Sequence, residues 1–406
     1  MKLYNTLSGE TEEFQPRENG TVKIFVCGPT VYDSIHLGHA RTYLVYDVLV
    51  RYLKLKGFDV ILIVNITDLD DKVFDKAEWE GIAFKDLANR YTQEFITNLE
   101  KLKINSINAF HKASDYLNEI EYQIDHLIKK GCAYQVDGDI FFDVSSFPNY
   151  GLLSNQTHQE LMLRRLNSNP KKRDQRDFFL WRSWIGKKPN FKNKFGIGRP
   201  GWHIEDTAIS ISIFKGGYDI HGGALDLVFP HHEAEIAQGE SIISQHPFVK
   251  YWVHTGLLFL EDEKMSKSLG NIISLKDSLD QFDPDILRLY LLSCHYRETF
   301  NLKRNEIKKF ESQVTLIRNI VTRLTKRILG FKGIQNNLPI KTLFKNHINN
   351  FYASLENDLD IPKALNALIF LLRAVDKDMV STNQNLLNEI LKMLSVLGLE
   401  SSFGEK

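Results

Sequence analysis

The spacing of apolar positions changes repeatedly along this chain, and each change predicts a different element. "TVKIFVCG" (21–28) is almost continuously apolar and β-branched and closes on Gly-Pro, which predicts a buried strand. "GHARTYLVYDVLVRYLKLKG" (38–57) repeats its apolar residues at helical spacing and stops at Gly57. "DVILIVNIT" (59–67) returns to a continuous apolar run, as a strand covered on both faces of a parallel sheet requires. Strand, helix and strand in succession make a βαβ unit. A further helix, "FKDLANRYTQEFITNLEKLKI" (84–104), follows.

From Asn105 to Lys194 the pattern loosens. A helix, "YLNEIEYQIDHLIKKG" (116–131), precedes a β-rich piece, "CAYQVDGDIFFDV" (132–144), and a polar, basic stretch, "LRRLNSNPKKRDQRD" (163–177). This reads as an α+β insertion between two halves of one α/β sheet domain. The sheet pattern resumes at "DIHGGALDLVFP" (219–230) and "YWVHTGLLFL" (251–260). After Asn301 the chain reads as helices, over 302–329, near 342–355 and 362–377, and near 383–398, which predicts an all-α helical bundle. The expected division is a parallel-sheet domain in two parts (1–104 and 195–260), the insertion (105–194), a linking region (261–301) and the bundle (302–406).

Composition narrows the functional classes. Charged residues make up 25% and apolar residues 43% of the 406, an ordinary globular balance. Lysine plus arginine equals aspartate plus glutamate, 51 against 51, so a nucleic-acid partner needs a local basic patch. The helix over 302–329 offers one, with Lys303, Arg304, Lys308, Lys309, Arg318, Arg323, Lys326 and Arg327 against Glu306 and Glu311, although such runs are commonly just solvated faces. Cys27, Cys132 and Cys294 are far apart and odd in number, which argues against a disulfide framework and for a reducing compartment. The N-terminus lacks the apolar core of a signal peptide, and no apolar run reaches the length of a membrane span. A cytoplasmic protein is expected, and a monomer, because no pairing surface is legible.

Two short motifs carry candidate chemistry. "HLGH" (36–39) lies where a strand hands over to a helix, a junction whose free N–H groups and helix dipole favour anions. His36 and His39 can donate hydrogen bonds to phosphate, and Gly38 lets a flat group approach the backbone. "EKMSKSLGN" (263–271) sets Lys264 and Lys267 on a small loop with Ser266, Ser268 and Gly270. Two lysines so placed can clamp a polyphosphate and stabilise the charge that develops as pyrophosphate leaves.

In this order the two motifs resemble the signature pair of class I aminoacyl-tRNA synthetases, whose adenine nucleotide lies on a Rossmann-type sheet. With "VCGPTVYD", "HLGHART", "NITDLDDK" (65–72), "GRPGWHIE" (198–205), "DIHGG" (219–223) and "FPHHEAEIAQ" (229–238), the chain resembles the cysteinyl-tRNA synthetases. The resemblance covers residues 1 to about 300, and a helical bundle follows compatibly. It implies activation of L-cysteine by ATP with Mg²⁺, giving cysteinyl-adenylate, and transfer to the terminal adenosine of tRNA(Cys). His36, His39, Lys264 and Lys267 would stabilise the transferring phosphate, with Gly38, Gly222, Gly223 and Ser266 completing the ATP site. Thr67, Trp202 and His221 match positions around the cysteine substrate, and Asp226 a position near its amino group or the nucleotide.

His231 and Glu235 in "HHEAE" fall at i, i+4, on one face of a helix. With Cys27 they offer S, N and O ligands of the kind zinc accepts, and the family's zinc binds the substrate thiolate. Where the family places a further cysteine, this chain has Asp206. Two outcomes follow: a Cys27–Asp206–His231–Glu235 zinc site with altered affinity, or selection of cysteine by pocket shape alone. The bundle runs to the last residue, where the family usually continues into an anticodon-reading domain. The expectation is a synthetase without that domain, meeting tRNA through its acceptor arm and the bundle. Two alternatives are a ligase joining activated cysteine to a sugar amine and an inactive synthetase-derived binding protein. Glu235 and Arg41 favour the synthetase over the ligase.

Overall fold

The molecule, as a computed structural model, is described over residues 1–156, 169–184, 189–244, 246–264, 273–330 and 339–399. An antiparallel hairpin, β1 (Lys2–Asn5) and β2 (Glu10–Glu13), leads into β3 (Thr21–Val26). Helix α1 (Leu37–Leu55) follows, and β4 (Asp59–Ile66) pairs in parallel with β3 from Thr21↔Asp59 to Val26↔Val64. The βαβ unit therefore forms as its apolar spacing predicts. Most of α1 is buried on all sides, so it is a core helix rather than an amphipathic one. Shortening a fully buried side chain such as Leu44 to alanine would cost about 2–5 kcal/mol.

Helix α2 (Asp71–Glu80), capped by Asp70 and ended by Gly81 in the left-handed conformation, precedes α3 (Phe84–Lys101). Strand β5 (Ala109–Lys112) then pairs in parallel with β4. The parallel sheet thus takes one strand beyond the expected boundary at residue 104. That strand carries only four half-buried residues, "AFHK", too few for a periodic signal.

The insertion contributes α4 (Leu117–Lys129), β6 (Ala133–Val136), β7 (Asp139–Phe142), β8 (Phe178–Ser183), β9 (Phe191–Asn193) and β10 (Gly196–Pro200). Its strands form an antiparallel sheet in the order β6-β7-β8-β10-β9, so it reaches Pro200 and not Lys194. Helix α5 (Trp202–Phe214) returns the chain to the parallel sheet at β11 (Tyr218–Ala224). An irregular turn, Val228–His232, runs directly into α6 (Glu233–Ile242), and β12 (Val249–Thr255) completes the order β12-β11-β3-β4-β5. The first half of the chain builds outward from β3 and the second half outward from β11. The reversal between those two strands opens a crevice at their carboxyl ends, the place where open α/β sheets bind ligands.

A small sheet of β13 (Leu258–Leu260), β14 (Glu263–Lys264) and β15 (Phe300–Leu302) encloses α7 (Leu275–Gln281) and α8 (Pro284–Leu291). The bundle is α9 (Arg304–Ile307), α10 (Lys309–Gly330), α11 (Thr342–Glu356), α12 (Ile361–Lys377) and α13 (Gln384–Val396). One hydrophobic cluster runs unbroken from the parallel sheet into this bundle, and a second fills the insertion. The basic face of the first bundle helices is partly neutralised from within. Arg318 lies 2.7 Å from Asp285 and 2.9 Å from Asp283, Lys309 is 3.3 Å from Glu306, and Arg323 pairs with Asp376. Among the described residues, no helix is long and apolar enough to cross a membrane.

Candidate active site

A cavity of about 210 Å³ opens at the switch point between β3 and β11. Cys27 to Thr30 line it from the end of β3, His36, Gly38 and His39 from the start of α1, Trp202 from the start of α5, and Asp226 from the turn after β11. Gly256 to Leu258 close it from beyond β12.

His36 is the N-cap of α1. Its Nδ1 accepts from the Gly38 N–H at 3.0 Å, and the His39 Nδ1 accepts from the His36 N–H at 3.4 Å. This reciprocal capping box satisfies two orphan donors of the helix end. It also sets the tautomer: a neutral imidazole that accepts at Nδ1 carries its proton on Nε2. Both rings, 3.9 Å apart between centroids, thus carry their proton on Nε2. Gly38 is needed because a Cβ there would lie 2.8 Å from the His36 ring, so the glycine makes room for the cap itself.

Lys264 ends β14, whose backbone pairs with Phe259 of β13. Ser266, Lys267 and the rest of 265–272 lie outside the described residues, as does the Lys264 side chain. The chain that follows is bound to the histidine turn: the Leu37 N–H donates to the Ile273 carbonyl at 3.2 Å and the Leu275 N–H to the Ile35 carbonyl at 2.9 Å. The exit of the two-lysine segment is therefore held beside His36.

Under the cavity lies a fully buried polar cluster. The Cys27 Sγ is 2.8 Å from Asp206 Oδ2, 3.1 Å from His232 Nε2, 3.7 Å from His221 Nε2 and 4.0 Å from Glu235 Oε1. His231 Nε2 is 3.3 Å from Asp206 Oδ2 and 3.2 Å from Glu235 Oε1. His231 sits in the irregular turn and Glu235 in the first turn of α6, so the i, i+4 spacing brings them together although only one of them is in the regular helix. Each imidazole is backed through its other nitrogen. His231 Nδ1 meets His203 Nδ1 at 2.8 Å, His232 Nδ1 meets His254 Nε2 at 2.8 Å, and His221 Nδ1 meets the Tyr218 hydroxyl at 2.6 Å. Asn65 Nδ2 donates to Asp206 Oδ1 at 2.7 Å. The Trp202 indole stacks on His231 with centroids 4.0 Å apart.

Electrostatically this cluster lacks positive charge. Burial, then the neighbouring Asp206 and Glu235 carboxylates, push the Cys27 thiol well above its ordinary range. Burial and Asp206 do the same to the Glu235 carboxyl. Burial holds His221 and His232 well below the usual imidazole range, and His254 at about 3, so these rings stay neutral. Glu235 Oε2 is buried without a hydrogen bond. Neutral imidazoles, a thiol, carboxylates and an orphaned oxygen form a donor set that a divalent cation would satisfy. Two overlapping groups qualify, Cys27–Asp206–His231–Glu235 and Cys27–His221–His232–Glu235, each with its ligand atoms within 4.8 Å of one another.

The other expected site residues divide. Trp202 and Asp226 line the cavity. Thr67 and His221 are buried behind it, with His221 reaching Cys27 rather than the open space. Gly222 and Gly223 lie at the end of β11. A Cβ at Gly222 would fall 2.2 Å from Tyr46, and one at Gly223 2.9 Å from His232, so glycine lets the strand pack closely against those side chains. Arg41 is buried and latches α1 to the Gly256 and His295 carbonyls, both at 2.8 Å. Sequence reading left out His232, His254, His203 and Asn65. His232 was in view beside His231 in "HHEAE", but helical spacing singled out only the i, i+4 pair.

Residues 13–312 match the family model described as tRNA synthetases class I (C) catalytic domain. A cysteine–tRNA ligase of Thermoplasma volcanium is 38% identical over 394 residues, covering 97% of this chain and 85% of that protein. One of Caldicellulosiruptor saccharolyticus is 37% identical over 412 residues, covering 100% of this chain and 88% of the relative. In fold, the chain is similar to methionyl-tRNA synthetase of Mycobacterium tuberculosis bound by methionyl-adenylate, with a TM-score of 0.70 at 15% identity over 94% of this chain and 92% of that one. It is also similar to a leucyl-tRNA synthetase of Agrobacterium radiobacter in a ternary complex, with a TM-score of 0.73 at 11% identity over 96% and 85%. With identity of this order over nearly the whole chain and a family model matching residues 13–312, this chain belongs to the cysteine–tRNA ligase family of class I aminoacyl-tRNA synthetases.

Proposed function

We propose that this chain activates L-cysteine with ATP and transfers it to the 3′-terminal adenosine of tRNA(Cys). The observation that carries this reading is one cavity bordered both by two imidazole Nε2–H donors at a helix start and by a buried S, N and O donor cluster. The substrate carboxylate attacks the α-phosphorus of ATP, and pyrophosphate leaves. His36 and His39 donate to the phosphate oxygens, and the N-terminus of α1 adds its dipole. Lys264 and Lys267 are assigned to the departing pyrophosphate by their motif, with Mg²⁺ accompanying ATP. Asp226 and Trp202 border the amino-acid end. No side chain serves as nucleophile, so the gain comes from positioning and preorganised charge.

Cys27, Asp206, His231 and Glu235 would hold zinc. When bound, it supplies a borderline-soft Lewis acid that prefers a thiolate to the alcohol of serine. The protein works as a monomer in this reading. The test is threefold on protein purified without chelator: zinc content, pyrophosphate exchange with cysteine or serine, and label transfer to tRNA. Near-stoichiometric zinc, exchange with cysteine alone and labelled tRNA are expected. Absence of cysteine-dependent exchange overturns the reading. Exchange with less than a tenth of an equivalent of zinc replaces the metal by pocket shape.

A further inference from the structure

We propose that Asn65 is a positioning residue for the metal: it ties down one oxygen of Asp206, so that the other alone faces the ion held with Cys27, His231 and Glu235. This rests on the zinc assignment in the proposed function and adds what makes a carboxylate serviceable at that place. A thiolate or a neutral imidazole offers a metal one donor atom, whereas a carboxylate offers two. Left free, Asp206 could ligate through either oxygen or through both. A second oxygen would occupy the open position that an incoming thiolate needs.

Hydrogen bonds divide the two Asp206 oxygens. Among the described residues, Oδ1 accepts from Asn65 Nδ2 at 2.7 Å and from nothing else. Oδ2 lies 2.8 Å from the Cys27 Sγ and 3.3 Å from His231 Nε2. The other end of Asn65 fixes which way its amide points. Its Oδ1 accepts from the Gly28 N–H at 2.6 Å, so the nitrogen must be the atom that meets Asp206. The same Nδ2 also donates to Thr67 Oγ1 at 3.4 Å. Asn65 and Asp206 are both buried, so no water is at hand to replace the bond between them.

The same amide steadies the thiol side. Gly28 directly follows Cys27, whose N–H donates to the Gly222 carbonyl at 2.9 Å and whose carbonyl accepts from the Tyr43 hydroxyl at 3.0 Å. The chain leaving β3 runs close against β4 here, since a Cβ on Gly28 would fall 1.5 Å from the Asn65 carbonyl oxygen. Asn65, near the end of β4, therefore bridges the end of β3 to α5, which carries Asp206. One side chain sets the relation between two ligands that lie 179 residues apart in the chain. Partners that orient metal ligands in this way are typically worth about 10–100-fold in metal affinity.

The test places Asn65→Ala in the full chain in two backgrounds, wild type and Asp206→Cys, whose thiolate has one donor atom and needs no tether. Zinc affinity, read by competition with a chromophoric chelator, should fall about 10–100-fold beside Asp206 and less than about threefold beside Asp206→Cys. Asn65→Asp keeps an acceptor for the Gly28 N–H but withdraws the donor from Asp206, so it should lose at least as much as the alanine and serves if the alanine does not fold. Cobalt(II) in the site gives a spectroscopic reading, because its d–d bands weaken as the coordination number rises. They should weaken in Asn65→Ala and hold their intensity in the double variant. Equal losses of affinity in both backgrounds, as a purely structural role would give, overturn the proposal. No loss in either background, or bands that do not weaken, overturns it as well. A wild type that takes up no zinc overturns the metal assignment of the proposed function, and this proposal falls with it.

Discussion

Asp47 and Glu235 are both completely buried, yet one is fully bonded and the other is not. Asp47 accepts from Arg288 Nη2 at 2.8 Å, Arg51 Nε at 2.9 Å, Ser106 Oγ at 2.6 Å and the Asn105 N–H at 3.3 Å. Arg288 spends its remaining donors on the Leu102, Lys103 and Leu397 carbonyls, at 2.8 to 3.1 Å. Burial alone would raise the Asp47 carboxyl, but the Arg288 and Arg51 guanidiniums and Ser106 more than offset it and hold it below the usual range. Around Glu235 and Glu205, both of which feel the Asp206 carboxylate, the reverse holds. Burial and nearby carboxylates push both well above that range, and both Glu205 oxygens and Glu235 Oε2 have no hydrogen bond. A closed network pins α1 to the bundle. An open one carries an unmet demand for positive charge, which is what a ligand site offers.

The largest effect should come from breaking the closed network. Arg288→Met leaves Asp47 buried with less than its charge compensated, and strands carbonyls of Leu102 and Leu397. Loss of one partner from a buried pair costs about 3–5 kcal/mol, and the stranded carbonyls place this variant at the upper end. Urea unfolding measures it, and a loss below about 1 kcal/mol would remove the distinction between the two clusters.

Asp206→Asn tests the open network. In metal-free protein its unfolding free energy should stay within about 1 kcal/mol of wild type, since the amide oxygen can still accept from Asn65. Zinc affinity, measured by competition with a chromophoric chelator, should fall by more than the roughly 100-fold typical of outer-shell changes. Unchanged affinity would assign the ion to Cys27, His221, His232 and Glu235 instead.

This contrast also shows what the sequence could and could not reveal. The βαβ unit was legible because β3, β4 and α1 are buried nearly all round, so their apolar runs are long and unbroken. Strand β5 was not, since four half-buried residues at the sheet edge carry no period. "HLGH" could be read as a helix start because capping is local, and the capping box spans only four residues. The thiol cluster draws on β3, α5, β11 and the turn before α6, so only the family resemblance could assemble Cys27, Asp206, His231 and Glu235. His232, His254 and Asn65 join it through tertiary contacts alone.

The pH dependence of the closed network has a definite sign. Asp47 is held below its unfolded value near 4, so it contributes stability that is complete above that value and is lost as pH falls through the lower folded one. The gap in unfolding free energy between wild type and Asp47→Asn should therefore be widest at neutral pH and close as the pH drops below about 4. A gap that is constant down to the acid transition would mean that hydrogen bonding, not charge, holds the seam.

The smallest effect belongs to a half-buried counterpart that packs against the same helix, α1. Glu356, at the end of α11, accepts from the Tyr52 hydroxyl of α1 at 2.6 Å, lies 2.7 Å from the Met1 ammonium and pairs with Lys56. Burial acts to raise its carboxyl, yet these partners bring it down to about 2. Its side chain is 35% exposed, however, so water and salt screen most of what that depression would otherwise contribute. Glu356→Gln should cost less than about 1 kcal/mol, and the cost should shrink further in 1 M salt, where screening acts over about 3 Å. Arg288→Met, behind the same helix, should be almost insensitive to salt. If the two variants cost the same, burial is not what separates a pin from a surface contact along this seam, and the reading of the open cluster as a ligand site loses its reference point.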